Sequence, residues 1–125
     1  ADSVADPVVQ IQEFLDSVLD NQRQRCCIGG CPIGNLASEL SDVHEGFRQR
    51  LAGMFLQWRV TLAEVLARGR ESGRLRSGLD PASAAEFLVA ALEGGILLTK
   101  VTRDISVMER CVTELKQHLT LYEAR

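Results

Sequence analysis

Residues 80–101 read DPASAAEFLVAALEGGILLTKV, an almost unbroken apolar run behind a capping aspartate. Glu86, Glu93 and Lys100 interrupt it at intervals of seven. On an α-helix that interval returns to the same side, so the charges form one narrow ridge. Ala84, Leu88, Ala91, Gly95, Leu98 and Thr102 run along one flank of the ridge, and Ala85, Val89, Leu92, Ile96 and Thr99 along the other. An ordinary surface helix buries one stripe about 100° wide. A helix with two apolar flanks must pack on two sides. The pattern predicts a central helix that uses one flank within its own chain and the other against a second copy. Its three charges argue against a membrane span.

The rest of the chain also has helical periodicity, and no alternating strand pattern is present. Pro7, Pro32 and Pro81 each stand where a helix would begin, a position at which the missing N–H costs nothing. Asp6, Asp80 and Asp104 are natural N-caps, and Asp42 with Glu45 resembles a capping box. The spacing predicts helices over about 7–22, 32–40, 43–71, 80–101 and from 104 to about 122. In the first, Val8, Ile11, Leu15 and Val18 form the apolar stripe with Phe14 beside it. In the long third helix the stripe is Phe47, Leu51, Met54, Trp58, Leu62 and Val65, with Phe55 and Leu66 alongside. In the last, Ile105, Met108, Val112, Leu115, Leu119 and Tyr122 form a seam suited to a helix-bundle interface. The expected fold is all-α, a bundle of about five helices in a single domain, 1–125.

Lys and Arg number 14 and Asp and Glu 17, a net charge of −3. This balance argues against the chain itself holding a nucleic-acid backbone, which requires a basic surface. No secretory signal is evident, so reduced thiols in a cytoplasmic setting are the expectation. Cys26, Cys27 and Cys31 lack both the spacing and the nearby histidine of a zinc site. No G-x-S-x-G, phosphate-cradling loop or paired histidine and carboxylate occurs. The sequence therefore assigns no catalytic residue, metal or cofactor. Cys31 precedes Pro32 at a helix N-terminus, where a thiolate is favoured. A stand-alone helical redox or electrophile-reactive protein using Cys31 is thus the alternative reading. Trp58 and its aromatic neighbours offer walls for an apolar cavity. Asn35 is either a hydrogen-bonding group in such a cavity or a local backbone partner. The adjacent Gly94 and Gly95 cost about 2 kcal/mol together in a helix, a cost more easily borne where two helices approach closely.

The runs GGCPIGNLASELSD, FRQRLAGMFLQWRVTLAEVLARGRESGRL and LEGGILLTKVTRD, in this order, resemble the C-terminal regulatory domain of the TetR/AcrR family of transcriptional repressors. The resemblance rests on Gly30-Cys31, Gly34-Asn35-Leu36, Glu39, Trp58, Gly73, Leu75, Asp80, Leu92-Glu93-Gly94 and Leu97-Leu98. It implies a non-enzymatic, bacterial, cytoplasmic sensor that binds a small, mostly apolar inducer. It also implies a homodimer formed by the last two long helices, which relays binding to DNA-binding heads. No basic three-helix segment precedes Asp6, so contact with operator DNA is expected only through an N-terminal helix-turn-helix domain absent from these residues. The expected ligand-binding residues are Phe14, Cys31, Asn35, Met54, Phe55, Trp58, Leu62, Leu92 and Ile96. The expected dimer interface is Ala84, Leu88, Ala91, Gly95, Leu98, Met108, Val112, Leu115 and Leu119.

Overall fold

A computed structural model describes residues 6–125; the first five residues of the 1–125 domain lie outside the described residues. Five α-helices follow in order: α1 (Pro7–Gln24), α2 (Pro32–Leu40), α3 (Glu45–Glu71), α4 (Pro81–Thr102) and α5 (Ile105–Leu119). A 3₁₀ turn, Thr120–Tyr122, ends the last helix. The aspartate caps form as expected. Asp6 accepts from the Val8 N–H, Asp80 from Ala82 and Ser83, and Asp104 from Ser106. The third start differs. His44 is the N-cap of α3, its Nδ1 accepting from the Phe47 N–H at 3.1 Å. Glu45 is then free to pair with Arg48.

α4 packs against α3 and α5, and α1 closes the bundle against α3 and α5. Ile11, Leu15, Leu66, Leu88 and Met108 are the largest fully buried apolar side chains. Each such burial contributes about 1.5–3 kcal/mol. The buried stripe of α1 is Val8, Ile11, Leu15 and Leu19, continued by Gln22; Val18 is only half-buried. Below the helices, Leu75 and Leu79 from the α3–α4 loop plug the core. Backbone bonds Arg76 N–H to Tyr122 O (2.8 Å) and Ala124 N–H to Arg74 O (3.2 Å) fasten that loop to the C-terminal segment. α4 has the length and hydropathy of a membrane-crossing helix. Here it is the central helix of the bundle. Two of the three charges on its ridge are engaged: Glu86 pairs with Arg59 and Lys100 bonds Asn35.

The apolar stripe expected on α3 needs correction. The stripe on α3 is buried only at Leu51, Leu62, Leu66 and Gly69, while Phe47, Met54 and Trp58 are exposed. α3 has 27 residues and α1 only 18, a difference of about 13 Å at 1.5 Å per residue. The short α2 also packs against α3. The expected dimer set is mostly enclosed by the chain itself. Ala84, Leu88, Gly95, Met108, Val112, Leu115 and Leu119 are buried inside the chain's own core. They have almost no surface left to give a partner. Ala91 is half-buried and only Leu98 is substantially open, at 56% exposure. The physical reason is that α5 covers the first flank of α4, while α3 packs against the second. The open apolar face is a third one, formed by Phe87, Ala90, Gly94, Leu97, Leu98 and Val101.

Candidate functional site

Between α1, α3 and α4 the bundle does not close. A cleft of about 660 Å³ opens there, walled by Phe14 and Val18 of α1, Trp58, Leu62 and Val65 of α3, and Leu92 and Ile96 of α4. The segment between α1 and α2 supplies Arg25, Gly30 and Cys31. A second cleft of about 630 Å³ lies on the other side of that segment, between α2, α3 and α4, and includes Asn35, Phe55 and Arg59. Cys31, Val89, Glu93 and Ile96 line both, so the two clefts share one wall. Volumes of this size suit a drug-sized molecule.

The α1–α2 segment reaches this place through an irregular path. Cys26, Cys27, Gly29 and Gly30 all take positive φ. For the cysteines this is a conformation that side chains rarely adopt. Three contacts hold it. Arg25 Nη1 donates to Gly30 O at 2.9 Å, Asn35 Nδ2 donates to Gly29 O at 2.6 Å, and Arg103 Nη1 donates to Cys27 O at 3.2 Å. Asn35 is therefore a backbone partner of the segment as well as a lining residue. Its Oδ1 accepts from Lys100 Nζ at 3.2 Å.

The structure thus brings Phe14, Cys31, Trp58, Leu62, Leu92 and Ile96 to the first cleft, and Cys31, Asn35, Phe55 and Ile96 to the second. Met54 lines neither and is exposed on the projecting part of α3. It falls out of the set because the helix face that carries it has no neighbour across the gap. Trp58 is 37% exposed and meets Phe55 edge-on at 5.1 Å between ring centroids.

Polar lining groups were missed by sequence reasoning. Gln22 is only 2% exposed, and its Oε1 is buried without a hydrogen-bond partner. Its position on the buried stripe of α1, seven residues after Leu15, was the available signal. Glu93 faces Cys31 from the ridge of α4. Burial pushes its carboxyl above the usual carboxylate range, and the thiol beside it pulls weakly the other way.

The surroundings of Cys31 do not favour the thiolate of the alternative reading. Burial pushes this thiol up, and the N–H groups of Gly34 and Ile33 do not offset burial together with the neighbouring Glu93 carboxyl. The helix N-terminus is present, but desolvation and a like-charged neighbour outweigh it. Cys26, Cys27, Cys31 and Cys111 are all free thiols. Among the described residues, no group of three metal-binding side chains assembles.

Comparison with known proteins places this geometry. Residues 7–115 match the tetracyclin repressor-like C-terminal domain. An uncharacterized HTH-type transcriptional regulator of Lactococcus lactis subsp. lactis, from the lacX 3' region, is 36% identical over 103 residues, covering 82% of this chain and 50% of the relative. The HTH-type transcriptional repressor DhaR of Mycobacterium sp. (strain GP1) is 30% identical over 112 residues, covering 90% of this chain and 54% of the repressor. The chain spans about half the length of these relatives. Among solved structures, a TetR transcriptional regulator from Chloroflexus aurantiacus J-10-FL superposes with a TM-score of 0.87 at 26% identity, over 97% of this chain and 61% of that one. An all-α bundle with this helix order, matched over most of its length in both sequence and structure, belongs to the TetR family of transcriptional regulators as a C-terminal domain.

Proposed function

We infer that the chain is the ligand-binding and dimerisation part of a bacterial cytoplasmic TetR-type repressor. It binds a small, mostly apolar inducer and relays that binding through a homodimer to DNA-binding heads. The observation that carries this reading is the cleft itself. An apolar cleft with an aromatic wall, left open in the centre of a bundle, forgoes core packing that the chain would otherwise use. That cost is accounted for by an occupant. The ligand set is Phe14, Cys31, Trp58, Leu62, Leu92 and Ile96 around the first cleft, with Asn35 and Phe55 in the second.

The dimer surface moves to the open face of α4. Phe87, Leu97, Leu98 and Val101, with Leu121 beyond α5, are large apolar side chains left exposed. Contiguous surfaces of this kind mark association sites. Gly94 lies in the middle of the face, and among the described residues nothing beyond its own helix comes within 4 Å of the place its Cβ would occupy. A second copy can therefore approach the α4 backbone closely.

Both parts are tested on the same sample. Trp58 is the sole tryptophan, so its fluorescence reports occupation of the cleft directly. Screening small apolar compounds should yield members that shift the emission and raise the melting temperature together. A complete absence of such compounds would refute the sensor reading. Light scattering across a dilution series should give twice the chain mass, and Leu98→Asp should halve it. A wild-type monomer at all concentrations would refute the dimer.

A further inference from the structure

We propose that the cleft is selective for apolar molecules bearing a protonated amine, received by the Glu93 carboxylate and the Gln22 side-chain oxygen. This rests on the reading of the cleft as a ligand site and adds the chemistry of the ligand's head.

The charged ridge of α4 carries the argument. Two of its three members have polar partners that satisfy them: Glu86 is satisfied by the opposite charge of Arg59 at 3.1 Å, and Lys100 by a hydrogen bond to the neutral Asn35 oxygen at 3.2 Å. Glu93 is not. Among the described residues no cation lies within 4.0 Å of its carboxyl, and its side-chain neighbour is the Cys31 thiol. The nearby guanidinium of Arg25 is turned to Gly30 O. A half-buried carboxylate without a counter-charge is an unfavourable group, and a cation brought by a ligand relieves it.

Room for that carboxyl is built into α2. A Cβ at Gly34 would overlap Glu93 Oε1. Gly34 has no positive φ, so the backbone itself does not call for glycine there. Glycine inside a helix is unfavourable relative to alanine. The space it leaves is the space Glu93 occupies.

Gln22 is the independent observation. It lines the cleft from α1, and its Oε1 is the only buried side-chain oxygen or nitrogen without a partner among the described residues. Native proteins seldom leave such a group unmade. Both uncompensated groups are acceptors and both line one cleft. An ammonium supplies charge and several N–H donors; a carboxylate head supplies neither and is repelled by Glu93.

The test compares phenylbutylamine, phenylbutanol and phenylbutyrate, which share one apolar body, by Trp58 fluorescence on the whole chain. The amine is expected to bind at least about tenfold more tightly than the carboxylate, a difference typical of one charge-assisted hydrogen bond. Glu93→Gln should remove most of that preference. Gly34→Ala displaces the carboxyl without deleting it and should reduce the preference in the same direction, which covers any failure of Glu93→Gln to fold. Gln22→Leu should weaken amine and alcohol together by about threefold. Equal or tighter binding of phenylbutyrate, or an amine preference that survives both Glu93→Gln and Gly34→Ala, would overturn the amine assignment and leave the ligand cleft standing. No response to any of the three would overturn the cleft as a ligand site and the amine assignment with it.

Discussion

Gly94 and Gly95 stand side by side in α4, and replacing each with alanine should move stability in opposite directions. Both exchanges gain about 1 kcal/mol of helix propensity. At Gly94 nothing lies within 4 Å of the new methyl group, so the gain is kept. At Gly95 the methyl carbon would sit 2.7 Å from Cys111 Sγ and 3.2 Å from Cys111 Cβ. The thiol can rotate away, but the Cβ moves only with the α5 backbone. Overpacking of this kind costs about 1–3 kcal/mol. The net result at Gly95 is a loss of about 0–2 kcal/mol. The neighbours should therefore differ by about 1–3 kcal/mol, or on the order of 4–12 °C in melting temperature for a chain of this size. Urea and thermal unfolding by circular dichroism, repeated at several protein concentrations to separate folding from association, supply the measurement. Cys111→Ala completes a double-mutant cycle with Gly95→Ala, with an expected coupling of about 1 kcal/mol. If Gly95→Ala stabilises the chain as much as Gly94→Ala does, and the cycle shows no coupling, the α4–α5 spacing is not set by this contact and the buried role given to Gly95 is wrong.

Gln22→Met removes the orphaned oxygen at similar volume and should raise stability by about 1 kcal/mol, read from the urea midpoint; a loss would show that the oxygen has a partner in solution. The Cys31 thiol should react with iodoacetamide only at a pH above that of an ordinary free thiol, since burial raises it; fast alkylation at neutral pH would restore the thiolate reading. Acid should weaken the helix starts. Hydrogen bonds from Arg48 and Gln49 hold Glu45 down to about 2, and Ser83 and Ser106 lower Asp80 and Asp104 respectively. Their contribution is therefore present above the ordinary carboxyl values and is lost as pH falls through the depressed ones. Glu93 has the opposite sign. Its raised value means that its contribution is present below the ordinary 4.5 and is lost as pH rises through the folded value. Glu93→Gln should gain stability relative to wild type as pH rises from about 4.5 to 7; a flat difference would refute the burial of this carboxyl.

The helices were legible because their signals are local. A capping aspartate with proline at the first turn specifies a start regardless of what packs above it, as at Asp6-Pro7 and Asp80-Pro81. The third start shows the limit: Asp42 and His44 both offer capping atoms, and periodicity does not choose between them. Which apolar face meets which neighbour is a non-local property. Met108, Val112 and Leu115 have the spacing of an interface seam, yet the same spacing serves a seam within one chain, and that is where they pack. Met54 and Leu62 are equivalent by pattern, and only the lengths of α1 and α4 decide that one is covered and the other is not. The cleft residues were easier. Phe14 and Trp58 are aromatic side chains on helices that flank a gap, and a wall of that type was expected. Glu93 and Gln22 were obscured for different reasons: Glu93 was grouped with two other charges on a ridge, and Gln22, a polar residue on a buried stripe, was read as the helix end.

The three faces of α4 bear on how a ligand would act. Each residue advances about 100° around the axis. Val89, Leu92, Glu93 and Ile96 border the clefts, Leu88 and Thr99 enter the core, and Phe87, Leu98 and Val101 face outward, with Ala90, Gly94 and Leu97 shared between the second cleft and the outward face. A ligand and a second subunit would therefore press on one stiff element from different sides. Coupling between them needs two positions of that element and a ligand with different affinity for each. The Cys27–Arg103 bond makes the end of α4 the place for the second position to differ. It joins the irregular α1–α2 segment, which walls the cleft, to the residue that caps α4 in a left-handed conformation. Arg103→Lys keeps the charge but loses the guanidinium geometry. On this argument it should leave ligand affinity for an isolated subunit near wild type while reducing the change in dimer dissociation constant that ligand produces. An unchanged linkage between ligand and dimer would place the hinge elsewhere.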